Sequence, residues 1–390
     1  MLAPTPLRIV HVFRAPVGGL FRHVADLARA QTAAGHKVGL ICDASTGGVY
    51  EAAILADLAR TLALGLTRIA MPRQMSPADF WTVLQVRREL KKLAPDVIHG
   101  HGAKGGVYAR LAGAIGDLRN AARIYTPHGG SLHYDPASMT GRIYFAAERF
   151  LGRFTDAIIP VCQFEADTYR RKVGAPRCLV RIVPNGLTTD EFVPIRPEPD
   201  ARDLLFIGAF RNLKGIDVLL NAIARLKSRD GLRVSANLVG QPEGRAKYEA
   251  MASELGIADR VAFHDPMRAR DAFATARIVT VPSRAESMPY VVLEAIAAGM
   301  PVVTTDVGGI PEIFGSEANQ LVPAGDADAL AGAIKAVVTA PEASRAAAER
   351  RRERIARRFN VRTMEQNITA TYAEVLAQKH APRFACAGKT

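Results

Sequence analysis

No run of about 18 uncharged apolar residues occurs in these 390 residues, which excludes a membrane-spanning helix. Cysteine is scarce. Cys42, Cys162, Cys178 and Cys386 are scattered without Cys-x-x-Cys spacing, which fits reduced thiols in a cytoplasm. The amino-terminal Met-Leu-Ala-Pro-Thr-Pro runs straight into a strand and lacks a signal-peptide pattern, so a cytoplasmic location is expected. Acidic residues are in deficit, 38 Asp and Glu against 51 Lys and Arg for a net charge of +13, which suggests an anionic partner. Residues 1–193 hold 24 Lys and Arg against 15 Asp and Glu, a net of +9, so the first half carries most of the excess.

What is present is ordinary for a globular protein, 48% hydrophobic and 23% charged, and long enough that two domains are the default expectation. Short apolar runs alternate with helical patterns. Arg8–Phe13, 37–42, 96–99, 122–126 and 157–161 read as strands, with a helix from Val17 to Gly35 after the first. Continuous apolar strands alternating with helices imply a parallel sheet covered on both faces. Residues 193–200, Val-Pro-Ile-Arg-Pro-Glu-Pro-Asp, read as a proline-rich linker. The pattern then restarts with a strand at 203–207, a helix at 216–227 and a strand at 233–239. The expected fold is α/β, two doubly wound Rossmann-like domains facing a cleft, with ligands beyond the carboxyl ends of the strands. Domain ranges of 1–193 and 200–360 follow, with a last helix at about 361–379.

Several motifs compete for the chemistry. Gly100-His-Gly102-Ala-Lys-Gly105 matches Gly-x-Gly-x-x-Gly, but the following strand supplies no acidic residue for a ribose, so a glycine-rich turn is the better reading. His99, His101, His128 and His133 hint at a metallohydrolase, yet no local carboxylate completes a bridging pair, and Glu148 and Asp135 have no evident placement. Asp326-Ala-Asp328 precedes a helix and reads as a cap. Two turns look built for phosphate. Gly18-Gly19 follows the first strand and opens a helix, where bare backbone meets the positive end of the dipole. In the second half, Arg211 and Lys214 flank a helix start, where cations oppose the dipole and call for an anion. Further on, Glu286-Ser-Met-Pro-Tyr-Val-Val-Leu-Glu294 aims two carboxylates at another helix start, with Ser287 as the expected cap and Pro289 in the first turn.

Taken in order, these segments resemble glycosyltransferase family 4, retaining enzymes of the GT-B fold. The matching segments are 18–23, 96–101, 126–129, 182–186, 206–215, Glu286-x7-Glu294, and Asp306-Val-Gly-Gly-Ile-Pro-Glu312, spanning about residues 8 to 375. The resemblance implies a nucleotide diphosphate sugar as donor, no bound cofactor and no metal. It implies that Glu286 contacts the sugar hydroxyls and Glu294 the ribose hydroxyls, acceptor-only carboxylates being suited to diols. It further implies that backbone near Ser287 and Met288 holds sugar and phosphate, that Arg211 and Lys214 neutralise the leaving diphosphate, that Gly18 and Gly19 let it approach, and that His128 contacts the sugar through its side chain or the neighbouring backbone. Catalytic roles fall to His128, Arg211, Lys214 and Glu286, and donor binding to Gly18, Gly19, Arg211, Lys214, Glu286, Ser287, Met288 and Glu294.

The sequence departs from the family where Ser287-Met288-Pro289 replaces Gly-Phe-Gly, removing one backbone N–H, and where Ala209 stands for an arginine. Val239-Gly240 and His264–Met267 are the expected base pocket. On the acceptor side, Arg142, Arg149 and Arg153 alternate with Tyr144, Phe145, Phe150 and Phe154. That basic, aromatic stretch fits either an anionic membrane surface or an ordinary buried helix. A lipid-linked or growing polysaccharide acceptor is expected. Arg350–Arg358 is interspersed with glutamate and reads as a solvated helix face, not as a nucleic-acid site. A sugar-nucleotide epimerase on the same fold and a metallohydrolase are the alternatives; an epimerase needs no acceptor.

Overall fold

The computed structural model describes residues 5–381; Cys386 lies outside them. The chain divides into two compact units, one running to Pro184 and resuming at Val361, the other Asn185–Asn360.

In the first unit, β1 (Arg8–Phe13), β2 (Lys37–Asp43), β3 (Leu66–Ile69), β4 (Val97–His101), β5 (Ala122–Thr126), β6 (Ala157–Ile158) and β7 (Leu179–Val180) form one parallel sheet. Its order is β3-β2-β1-β4-β5-β6-β7. Val10, Val12 and Ile98 pack on one face against Tyr108 and Ala109 of the helix Gly102–Gly113. On the other face Ile9, Val97 and Ile124 pack against Leu27 and against Met364, Ile368, Tyr372 and Val375 of the last helix, Val361–His380. Both faces are covered, which is why these strands carry apolar residues without alternation.

The second unit repeats the scheme with β8 (Arg202–Ile207), β9 (Ala236–Val239), β10 (Val261–His264), β11 (Ala276–Val281) and β12 (Val302–Thr304), ordered β10-β9-β8-β11-β12. Its core joins β8 and β9 to Leu219, Leu220 and Ile223 of the helix Ile216–Asp230 and to Leu330 and Ile334 of Ala327–Thr339.

Several expectations are corrected. The segment 193–200 is not a free linker: Ile195 N–H donates to the Ala298 carbonyl at 2.9 Å and Glu198 N–H to the Ala274 carbonyl at 2.8 Å, so its backbone is laid onto the second unit. The strand expected at 157–161 stops at Ile158, Pro160 having no N–H for a ladder. The strand expected from 233 starts at Ala236, because Ser235 N–H and Oγ both donate to the Asp203 carboxylate instead. Nor is the arginine-rich helix Pro341–Ala356 uniformly solvated. Arg351 is buried, 2.9 Å from Glu317 and stacked 4.4 Å over the Phe314 ring. Asp326 does cap its helix, accepting from the N–H groups of Asp328 and Ala329 at 2.9 Å each.

Candidate active site

In the second unit three loops converge beyond the carboxyl ends of β8, β11 and β12. Asn212–Lys214 forms a short 3-10 turn, and Lys214 Nζ reaches Glu286 Oε1 at 2.6 Å. Ser283 Oγ donates to the same oxygen at 2.7 Å. Arg284 clamps the two loops: its N–H donates to the Leu213 carbonyl at 2.8 Å, and its guanidinium grips Asp217 at 2.8 and 2.6 Å. That grip holds the Asp217 carboxyl below its ordinary range. Gly215 sits at φ +68°, and a Cβ there would strike the Pro282 carbonyl. The loop after β12 closes from the third side. Gly309 N–H donates to the Ser287 carbonyl at 2.6 Å, and Gly308, at φ +62°, lies so close to the Glu286 carbonyl that any Cβ would collide with it.

Lys214, Glu286 and Ser287 are thus brought into one constellation. Met288 is buried beside it, its carbonyl accepting from Asn185 Nδ2 at 2.8 Å. Arg211 is exposed at the head of the 3-10 turn. The helix after Glu286 spans Tyr290–Ala297 with Pro289 as its N-cap. This corrects the cap expected at Ser287: a residue preceding proline is driven to extended backbone, so Met288 cannot enter the helix. Glu294, half-buried, lies in the second turn. The expected base pocket is a strand-end junction in which Gly208 N–H donates to the Val239 carbonyl at 3.0 Å and Gly240 N–H to the His264 carbonyl at 3.1 Å.

The first unit holds a feature sequence reasoning saw only in part. Neighbouring strands place His11 beside His99 and Phe13 beside His101, and His128 follows β5. His11 Nδ1 and His101 Nε2 are 2.9 Å apart, and His101 Nδ1 and His128 Nε2 3.1 Å. His11 Nε2 meets Gln31 Oε1 at 2.8 Å. His99 bonds Tyr372 Oη at 2.6 Å through Nδ1 and Thr126 Oγ1 at 2.9 Å through Nε2. The His23 ring stands edge-on to His128, centroids 4.6 Å apart. Burial pushes His11 down to about 4 and His99, His101 and His128 well below the usual imidazole value, so these rings are neutral at pH 7. His11, His23, Gln31 and Tyr372 were missed; the signal for His11 was its place in β1, in register with His99.

Two trios, His11/His99/His101 and His23/His101/His128, bring ring nitrogens within 4.8 Å of one another, close enough to suggest a metal. Yet His11, His99 and His101 already direct both ring nitrogens at other side chains. Glu148, the carboxylate a hydrolase would need, is buried elsewhere: Oε2 meets Arg110 Nη1 at 2.9 Å and Oε1 accepts from Tyr125 Oη at 3.2 Å. Asp135 accepts from Ala137 N–H at 2.9 Å.

His128 is partly exposed and holds φ +52°, rare for a residue with a side chain. The buried Glu165 fixes that turn, accepting from Gly129 N–H and, at 2.9 Å, from Val161 N–H. Gly18 and Gly19 are exposed at the start of the helix Gly18–Ala33, Gly18 at φ +65°. Gly105 serves packing: a Cβ there would strike the backbone of Val12 and Phe13, which accounts for the glycine-rich turn without a dinucleotide. On the helix Met139–Leu151, Phe145 and Leu151 are buried while Met139, Ile143 and Phe150 are exposed. Arg142, Arg149 and Arg153 are all exposed, and Arg149 also donates to the carbonyls of Val173 and Lys172 at 2.6 and 3.1 Å. Among the described residues, no helix is long and apolar enough to cross a membrane.

Comparison with known proteins bears on family and fold. Residues 17–191 match the model of Glycosyltransferase Family 4, and residues 201–340 that of Glycosyl transferases group 1. The chain is 30% identical over 376 residues to a D-inositol 3-phosphate glycosyltransferase of Streptomyces griseus, covering 83% of this chain and 78% of that one. It is 26% identical over 394 residues to a glycogen synthase of Mycobacterium tuberculosis, covering 94% and 93%. Anabaena Alr3699/HepE, solved with UDP and glucose, superposes with a TM-score of 0.76 at 18% identity, over 94% of this chain and 99% of that one. Such a superposition identifies the GT-B fold.

Proposed function

The chain belongs to glycosyltransferase family 4, and from that premise we propose that it is a retaining enzyme moving a sugar from a nucleotide diphosphate sugar to a lipid-linked or growing polysaccharide acceptor. The observation that carries the donor side is the Lys214–Glu286 pair, held by the Gly308–Gly309 loop beside a helix N-terminus. An ammonium has three donors; with one directed at Glu286, two remain for phosphoryl oxygens. Glu286 Oε1 takes both Lys214 and Ser283, which leaves Oε2 as the acceptor for a sugar hydroxyl. Glu294 is the acceptor for the ribose hydroxyls. The glycosidic bond to the leaving phosphate breaks, the bond to the acceptor oxygen forms on the same face, and the departing phosphate takes the acceptor's proton. Charge stabilisation by preorganised donors is the main catalytic term in this scheme, one such donor being worth roughly 10²–10³ in rate.

The Anabaena structure, with its UDP and glucose, makes UDP-glucose the first donor to test. Relatives named for an inositol phosphate and for glycogen leave the acceptor class open. The lipid-linked reading is supported by the net charge of +13 and by the helix Met139–Leu151, where Arg142 and the adjoining Arg153 accompany exposed Met139, Ile143 and Phe150. A peripheral place on an anionic, cytoplasm-facing membrane follows from it. The test is incubation of the full chain with UDP-, GDP- and ADP-sugars and lipid-extract acceptors, followed by NMR of the anomeric centre of the product. A retained α configuration supports the reading. An inverted product overturns it, and an epimerised nucleotide sugar with no acceptor consumed favours the epimerase.

A further inference from the structure

The histidine cluster of the first unit has a direction. A neutral imidazole carries one N–H and one bare nitrogen, so a chain of them is polarised from one end to the other by whatever stands at the end. Here the end is Gln31. Its Oε1 faces His11 Nε2 at 2.8 Å, while its Nε2 faces Tyr372 Oη at 3.5 Å. A carbonyl oxygen only accepts, so His11 must hold its proton on Nε2 and present a bare Nδ1. His101 must then donate to that nitrogen from Nε2, at 2.9 Å, and its own Nδ1 is bare. His128 must in turn donate from Nε2, at 3.1 Å.

The second branch agrees. Tyr372, accepting from the amide, donates to His99 Nδ1 at 2.6 Å, and His99 Nε2–H donates to Thr126 Oγ1 at 2.9 Å. Turning the amide over would reverse both branches together, so the amide orientation and the tautomers form one two-state unit.

We propose that Gln31 is a positioning residue that sets the tautomer of His128 through His11 and His101, so that the partly exposed His128 presents Nδ1 as a hydrogen-bond acceptor. Resting on the reading that His128 meets the donor sugar, this makes its partner there a hydroxyl that donates. The site would then discriminate against a sugar lacking that hydroxyl, as buried polar groups do when their partner is missing. Gln31→Met keeps the side-chain length and removes the acceptor. The chain then relaxes to the opposite direction, with only a bare nitrogen of His11 left over, and His128 becomes an Nδ1–H donor. Gln31→Glu retains an acceptor and so retains the direction.

The test uses the full chain labelled with ¹⁵N in its nine histidines and long-range proton–nitrogen correlation, which reports the protonated nitrogen of each ring. Signals are assigned by loss in His11→Asn, His101→Asn and His128→Asn. The expected spectrum has His11, His101 and His128 all protonated at Nε2, with His128 shifting to Nδ1–H in Gln31→Met but not in Gln31→Glu. A wild-type His128 carrying its proton on Nδ1 overturns the proposal, even if the methionine variant fails to fold. So does an unchanged His128 in that variant, or stoichiometric Zn²⁺ displacing the ring protons, which would make the cluster a metal site. With UDP-glucose as probe, kcat/KM should fall about tenfold or more in Gln31→Met and about twofold or less in Gln31→Glu. A reversed tautomer with unchanged turnover would uphold the proposal and remove His128 from the sugar, so the two readings fail separately.

Discussion

Lys214 and Glu286 act as a pair, and single substitutions there disturb two groups at once. Lys214→Ala should depress turnover by about 10²–10³ while the melting temperature barely moves, since the pair is only partly buried. Turnover should also survive EDTA. If chelator abolishes it and Mg²⁺ restores it, a metal performs the role given to Lys214 and Arg211. Glu294→Ala should weaken UDP binding by roughly 1.5–3 kcal/mol, the scale of hydrogen bonds to a charged acceptor. Titration calorimetry decides it, and an unchanged Kd would take Glu294 off the ribose. The Arg110–Glu148 pair is different in kind, fully buried and far from these loops in sequence. Removing one member strands the other, at about 3–5 kcal/mol. Glu148→Ala should therefore lower the denaturation midpoint sharply, and a small shift would mean that water enters to solvate Arg110.

At the scale of elements, the loop after β12 leaves no room for a side chain at Gly308. Gly308→Ala places a methyl against the Glu286 carbonyl and forces a left-handed φ on a side-chain residue. Activity should drop at least as far as in Lys214→Ala, with the rest of the unit still folded by hydrogen exchange; full activity would show that the loop yields. On the helix Met139–Leu151 and the turn after it, the arginines are expected to differ in effect. Arg142→Gln with Arg153→Gln should weaken binding to anionic liposomes, each cation near such a surface being worth about 1 kcal/mol. Arg149→Gln should lower the melting temperature instead, because it frees the carbonyls of Val173 and Lys172. Equal sedimentation of the double variant and wild type would leave the helix as ordinary surface. These elements also show what the sequence could tell. β1 and β5 were legible to the residue, because apolar runs bounded by loops define a buried strand. β7 and β12 span two and three residues and carry no period to detect, while β6 was legible at its start and read three residues too long. In the site, Glu286 and Lys214 were legible as motif positions. Their mutual bond and the Arg284–Asp217 clamp were not, since both join residues about 70 apart. The cluster of His11 with Gln31 and Tyr372 was hidden for the same reason, assembled from both ends of the chain.

For the whole molecule, the buried histidines make one unit sensitive to acid. A histidine whose folded pKa lies below its unfolded value near 6.5 binds its proton first in the unfolded chain. Stability is therefore complete above about pH 6.5 and is lost as pH falls toward the folded value, about 4 for His11. His99, His101 and His128 act in the same sense. Calorimetry at pH 7 and pH 5 should show the transition of the first unit moving down more than that of the second, with hydrogen exchange in β1 and β4 identifying it. Equal shifts in both units would mean that the rings accept protons in place. The same unit has another dependence, set by the order in which the polypeptide is made. Its core lacks Met364, Ile368, Tyr372 and Val375 until the helix Val361–His380 arrives, whereas Asn185–Asn360 is contiguous. During synthesis the half encoded second can therefore finish first. The half encoded first must wait, with part of one side of its sheet uncovered, for residues 361–380 to leave the ribosome.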